Sequence, residues 1–523
     1  MRIDASRLRR IGFPLFLTVV AAALVFSPGR GTETALGFPN LTGCTSIMVG
    51  RLATTDGSVM TSQTVDGVYR TWMEIAPHRK NDAGAKNKIY TGRMATRIPD
   101  DERRLKLTGE VPEVAESFSF FNTAYPAMNE HQLGIGETTV VGRWELRNPK
   151  GMFQIEEIQR LMLERCTTAR EAIRLADELT KTYGYIDYGE CLTIADTKEV
   201  WHFEILGATE KYVGAVWAAV RIPDDHVGVS ANSVRIGELD LKNSDYYMAS
   251  KNVYSLAEEM KWWDPKGKEP FKFYKAYSKQ KGNHWPYREW RVLSLAAPSL
   301  NLNPEAEELP FSVKAERKIS VRNVMAWFRD TYENTQFDCM PKLLVKDRKG
   351  NLVQSPVVSP WMSGNMQNLL NSLKPGSAPT HYTIANNTTS YSTVIQCRSW
   401  LPDPIGGIVW LGFDNPAQTV SAAWAFRRAA RLAQLGWGKT RKMVEGLINE
   451  IEDRAFTEIP LIEKNAVESY GRDPDKARAF ITAYCRDFAL AVTQRYWDLG
   501  DELWDLFTTY DFFLTTEERK KWR

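Results

Sequence analysis

Cys44 opens a stretch that reads as a strand (Thr45 to Gly50), an Asp56-Gly57 turn and a returning strand (Ser58 to Gly67) that ends on the carboxylate of Asp66. A cysteine in this position has a use for that carboxylate. A thiol is a poor nucleophile until it loses its proton, and the terminal amine of the chain, with a pKa of roughly 7.7–8.0, can remove it. If Cys44 became the first residue of a mature chain, it would be both nucleophile and base, and no histidine would be required.

The residues before Cys44 fit such a maturation. Arg2, Arg7, Arg9 and Arg10 precede an apolar run, Ile11 to Phe26, which together make the charged and hydrophobic regions of an export signal. The run is shorter than the roughly 20 apolar residues that a membrane span needs. Ser27 to Gly43 is small, polar and rich in Gly and Pro, so signal cleavage followed by loss of a short propeptide would expose Cys44. The expectation is therefore that residues 1–43 are removed and that the mature protein is periplasmic or extracellular. Leu41-Thr42-Gly43-Cys44 also has the local look of a lipid-attachment box, but a lipid-modified cysteine should follow the hydrophobic region directly.

Composition narrows the function classes. The 523 residues, 43% hydrophobic and 25% charged, are enough for one large domain or two ordinary ones with a well-buried core. The 67 basic and 64 acidic residues leave a formal charge of only +3, which gives no electrostatic preference for nucleic acid or an anionic membrane. Small substrates are the default partner, and nothing after Phe26 looks like a membrane segment. With Cys44 set aside, Cys166, Cys191, Cys339, Cys397 and Cys485 could form at most two disulfides and leave one thiol free. No Cys-x-x-Cys or His-x-x-x-His spacing appears, so neither a structural nor a catalytic metal is expected.

The elements that must position Cys44 follow from periodicity. Strand character is expected in Arg70 to Pro77, near the end of Ala127 to Val140, in a Cys191–Asp196 and Val200–Ile205 hairpin, and in Tyr212 to Arg221 and His226 to Asn232. Phe153 to Glu164 and Ala169 to Thr182 carry apolar residues at helical spacing, with Thr167 and Thr168 as candidate caps. Asp240 to Lys318 reads as helices with long connections. Strand character returns at Tyr382 to Ile384, Ser392 to Arg398 and Gly406 to Gly412. From Trp424 onward the pattern is helical, and Ile481, Tyr484, Phe488, Val492 and Tyr496 mark a buried stripe.

Six motifs in this order carry a resemblance: Cys44-Thr45-Ser46 with Asp56-Gly57-Ser58-Val59; Asp66-Gly67; Met128-Asn129-Glu130; Ala231-Asn232-Ser233-Val234-Arg235-Ile236; Arg329-Asp330-Thr331-Tyr332-Glu333; and Gln396-Cys397-Arg398-Ser399-Trp400-Leu401-Pro402. The chain resembles the dipeptidase family of cysteine N-terminal-nucleophile hydrolases, relatives of secernins and, more distantly, of choloylglycine hydrolases and penicillin V acylases. The resemblance covers nearly everything from Cys44 to about Trp424. It implies an α+β fold, a four-layer αββα sandwich over residues 44–423, with a helical C-terminal extension over 424–523.

The resemblance also implies roles. Asp66 matches the aspartate that holds the terminal amine, Asn232 the asparagine that helps form the oxyanion hole, and Arg291 an active-site arginine for which nearby Arg288 could be mistaken. Thr139 lies near the position of a second polar contact. Gln63 stands where relatives carry arginine or histidine; its amide can donate a hydrogen bond but supplies no positive charge, so it either meets substrate or fills a strand position. Asn129 and Glu130 are expected to shape a turn. The implied activity is hydrolysis of dipeptides without a cofactor. The alternatives are an acylase acting on N-acyl amides or bile salts, and a noncatalytic secernin-like or lipid-anchored binding protein. Whether copies associate as a homo-oligomer is left open by the sequence.

Overall fold

A computed structural model describes residues 43–98, 101, 103–279, 287–347, 349–378, 382–418 and 423–508. The expected export signal and the propeptide up to residue 42 lie outside the described residues. The described residues from 43 to 508 form one compact unit.

Two antiparallel sheets organise this unit. The six-stranded sheet runs in the order Ser312–Lys314, His226–Ser230, Ser46–Val49, Val59–Asp66, Thr389–Cys397, Ile408–Phe413. The eight-stranded sheet runs Tyr247–Ala249, Ala215–Arg221, Val200–Gly207, Glu190–Ala195, Gly134–Thr139, Met128–Asn129, Phe120–Asn122, Glu74–Ala76. The Val59–Asp66 strand is buried along its whole length, which explains why it lacks a simple apolar and polar alternation. Its hydroxyls are consumed internally: Thr61 Oγ1 donates to Thr193 O at 2.9 Å and Ser62 Oγ to Ile47 O at 2.9 Å. The two sheets approach closely at Gly136, where an added Cβ would lie 2.6 Å from both Ser62 O and Thr193 Oγ1. Met48, Val59, Ala195, Val200, Ile395 and Cys397 bring apolar side chains from both sheets into one cluster.

Helices bury the remaining apolar faces. Ile155–Arg165 and Ala169–Tyr183 share a core with Ile135, Leu192, Ile194, Phe203 and Ile205 of the eight-stranded sheet. Thr168 caps the second of them in a reciprocal arrangement with Glu171, which satisfies two of the otherwise unpaired amides at a helix start. Against the six-stranded sheet, Val292, Leu293 and Ala296 of Tyr287–Ala296 and Val324, Trp327 and Phe328 of Val321–Phe328 pack with Ile47, Val49, Met60, Val227 and Val229.

The described residues end in three helices, Ala423–Gln434, Trp437–Tyr470 and Pro474–Thr508. Their core includes Phe426 and Tyr496, with ring centroids 4.0 Å apart, and reaches Trp361, Ala385 and Ala417 of the preceding body. In the expected stripe Val492 and Tyr496 are buried and Leu499 and Leu503 continue it, whereas Ile481, Tyr484 and Phe488 are only partly covered. Among the described residues no helix is long and apolar enough to cross a membrane.

Some expectations change. The middle region contributes two edge strands, Tyr247–Ala249 and Ser312–Lys314, each too short to show a period. Only Glu74–Ala76 of the 70–77 stretch pairs, and Tyr382 to Ile384 is irregular rather than a strand. Cys44, Cys166, Cys191, Cys397 and Cys485 are free thiols.

Candidate active site

Cys44 sits two residues before the Ser46–Val49 strand and is 1% exposed. The hairpin brings the end of Val59–Asp66 back to it, and the Asp66 amide donates to Cys44 Sγ at 3.4 Å. The Asp66 carboxylate is fixed from the far side of the chain. Thr389 Oγ1 donates to Oδ1 at 2.6 Å and the Tyr382 hydroxyl to Oδ2 at 3.2 Å. That hydroxyl also accepts the Gly43 N–H at 2.7 Å, so Tyr382 links Asp66 to the residue immediately before the cysteine.

Arg288, at the start of the Tyr287–Ala296 helix, closes the other side. Its Nη1 donates to Gly43 O at 2.7 Å, to Cys44 O, and to Thr45 Oγ1 at 3.0 Å. Nη2 reaches Ala231 O at 3.1 Å and Asn232 Oδ1 at 2.8 Å. Asn232 follows the His226–Ser230 strand with φ 66, a left-handed conformation that Asn tolerates better than most residues. Its Nδ2 donates to Thr139 O at 2.7 Å and has a second hydrogen to offer. Cys44, Asp66, Asn232 and Thr139 therefore meet through direct contacts or one intermediate residue.

Arg291 is not in this group. It pairs with Asp330 through Nε at 2.9 Å and Nη2 at 2.8 Å. The two arginines are three residues apart on one helix, and it is Arg288, 3% exposed and one turn before the buried Val292, that faces the strand ends. The arginine that touches the Cys44 main chain is thus Arg288, whereas Arg291 is engaged by Asp330. Gln63 also makes no contact with Cys44: its Oε1 accepts the Glu137 amide at 2.7 Å, and its buried Nε2 has no partner among the described residues. Asn129 shapes its turn, accepting from the His131 and Leu133 amides. Tyr382, Thr389 and Glu137 are contributors that local sequence did not single out.

Burial opposes ionisation of both acidic groups of this site while Gly43 remains attached. Burial pushes the Cys44 thiol well above its usual range, and the charges of Glu137 and then Asp66 add to that. Burial likewise raises Asp66 to about 7, against the opposing effects of Thr389, Arg288 and Tyr382. With Gly43 in place the Cys44 nitrogen is an amide and cannot act as a base.

A pH consequence follows. A raised native pKa means that folded Asp66 keeps its proton where the unfolded chain has lost it, so its contribution to stability declines as pH rises from about 4 to about 7. In the unprocessed Cys44→Ala protein, Asp66→Asn should flatten that decline by up to a few kcal/mol, read from denaturant unfolding at pH 4 and pH 8. An unchanged difference between the two pH values would contradict the neutral Asp66.

The sequence pattern of peptidase family C69 matches residues 43–442, starting one residue before Cys44. The chain belongs to this family. Relatives include a probable dipeptidase of Latilactobacillus sakei, 25% identical over 384 residues that make up 72% of each chain. A probable dipeptidase of Salmonella dublin is 27% identical over 410 residues, 74% of this chain and 82% of the relative. Probable dipeptidase B of Lactococcus lactis is 26% identical over 382 residues, 71% of each. The C69 match spans every side chain of the site just described, from Gly43 to Thr389.

Proposed function

We propose that the chain is the precursor of an exported dipeptidase that uses Cys44 as an amino-terminal nucleophile. The observation that carries this reading is the convergence of Asp66 and Arg288 on the sulfur and main chain of one buried cysteine at a strand start. The names of its relatives support the substrate class. On this reading residues 1–43 are leader and propeptide, 44–423 are the hydrolase domain, and 424–523 are an extension packed on it. Helices against the outer face of each sheet support an αββα layering of the N-terminal-nucleophile type.

Removal of Gly43 gives Cys44 a free amine beside Asp66 and Tyr382. The amine takes the thiol proton, and the Asp66 carboxylate, ionised beside the new ammonium, orients it. The thiolate attacks the substrate carbonyl. The spare Nδ2 hydrogen of Asn232, held by Arg288 and Thr139 O, supplies a donor to the oxyanion, an interaction worth on the order of 3 kcal/mol in comparable sites. Collapse expels the amine product with a proton from the Cys44 ammonium, and water releases the acyl group from the thioester. Gln63 acts through the Glu137 backbone it holds.

The mature protein should release free amino acids from unblocked dipeptides, lose activity on thiol alkylation and keep it in a metal chelator. Preference for penicillin V or a conjugated bile salt over every dipeptide tested would make it an acylase instead. The two arginines separate in the same assay. Arg288→Ala should lower kcat/KM at least about 10²-fold, because it releases both Asn232 and the Cys44 main chain. Arg291→Ala should stay within a few-fold of the parent; equal losses would return Arg291 to the site.

A further inference from the structure

Beside Cys44 lies a group of buried acids that the mechanism leaves unused. Glu137 is fully buried on the Gly134–Thr139 strand, and its main-chain oxygen accepts from Ser46 Oγ at 3.1 Å, two residues beyond Cys44. Glu190 starts the neighbouring strand directly opposite Thr139, the residue that bonds Asn232. The two carboxyl groups interact directly, and Thr139 Oγ1 donates to Glu137 Oε1 at 3.4 Å. Among the described residues neither acid has a hydrogen bond or ion pair with a lysine, arginine or histidine, and one oxygen of each is buried without a partner.

Two donors next to this pair are also unpaired. Tyr185 is 0% exposed, yet its hydroxyl has no partner, although the charges acting on it are those of Asp187, Glu190, Glu137 and Glu156. The Nε2 of Gln63 is equally buried and unpaired, while the other end of the same amide is bonded to the Glu137 N–H. Leaving the two carboxyl oxygens and the tyrosine oxygen unpaired is unfavourable by amounts that a well-placed cation would recover. Among the described residues no group of His, Cys, Asp or Glu has a metal-binding arrangement. Thr139 and Tyr69, both partly exposed, lie at the edge of the group.

We propose that Glu137 and Glu190, with the Tyr185 hydroxyl as a further acceptor, form the subsite for the α-ammonium group of the substrate's amino-terminal residue. This rests on the dipeptidase reading. In a dipeptide only the α-carbon separates that ammonium from the carbonyl that Cys44 attacks, so a site for one must adjoin the site for the other. The carboxylate pair adjoins Cys44 on the side of Thr139, the residue that also positions Asn232. An ammonium offers three donors and one positive charge, matching the unpaired oxygens of two acids. Asp66 serves the amine of Cys44, while Glu137 and Glu190 serve the amine of the substrate.

The test compares alanyl-alanine with propionyl-alanine, which differs only by lacking the amino group. The mature parent should favour alanyl-alanine by at least about 100-fold in kcat/KM, because the analogue leaves the acids unpaired. Glu190→Gln and Glu137→Gln should shrink that ratio at least about tenfold, chiefly through KM for alanyl-alanine, and Tyr185→Phe should shrink it by a smaller factor. Equal rates on the two compounds in the parent, which needs no variant to fold, would overturn the subsite. So would variants that lower both rates by one factor, since that result assigns the acids to Cys44 or its amine. Failure of the mature parent to cleave alanyl-alanine or any other dipeptide would overturn the dipeptidase reading and the subsite together.

Discussion

Cys44→Ala should leave a folded, exported protein with no measurable dipeptide hydrolysis. Removing the nucleophile from a group of residues that act as a unit lowers kcat by on the order of 10⁶-fold, because the remaining groups have nothing to activate. The fold should tolerate the change. Cys44 precedes the Ser46–Val49 pairing, its sulfur accepts one weak hydrogen bond from Asp66, and alanine is smaller than cysteine. Cys44→Ser should also lose most activity, since the hydroxyl is far less acidic than the thiol. Turnover near that of the parent by Cys44→Ala, measured as amino-acid release, would remove Cys44 from the mechanism.

Gly43→Val should also be damaging, without touching any group of the mature enzyme. A Cβ on residue 43 would lie 2.7 Å from a ring carbon of Tyr382 and 2.8 Å from Nη2 of Arg288, the side chains that hold the Gly43 N–H and carbonyl. Only glycine fits that cradle without moving them. If the chain cuts itself, the carbonyl polarised by Arg288 is the one that Cys44 must attack, and a displacement of about 1 Å can cost 10²-fold in rate. Gly43→Val should accumulate as uncut precursor with activity reduced at least about 10²-fold, visible by intact mass and by dipeptide hydrolysis. Normal processing and normal turnover would show that the cradle has no part in maturation.

Much of the site was legible because its parts are close in sequence or end an element. Cys44 and Asp66 are the two ends of one hairpin, and Asn232 follows a strand with clear apolar character. The two helices from Ile155 to Tyr183 were readable from apolar spacing and, for the second, from the Thr168 cap. Contacts that depend on tertiary packing were not. Tyr382 and Thr389 reach Asp66 across 316 and 323 residues, and the strand character read at Tyr382 to Ile384 gave no hint of the irregular segment that delivers the Tyr382 hydroxyl. Arg288 and Arg291 differ by three positions on one short helix, so choosing between them requires knowing which face meets the sheet. Gln63, Glu137 and Glu190 lie on strands buried on both faces, where the usual alternation of apolar and polar residues no longer reports which side chains meet.

The central claim is that a free Cys44 amine is the catalytic base, and sequencing the amino terminus of the active protein, together with its intact mass, tests it most directly. The account predicts a mature chain that begins at Cys44 with an unmodified amine, and an inactive precursor that retains Gly43. A protein that hydrolyses dipeptides at full rate while residues before Cys44 remain attached, or while the Cys44 amine is acylated, would contradict it.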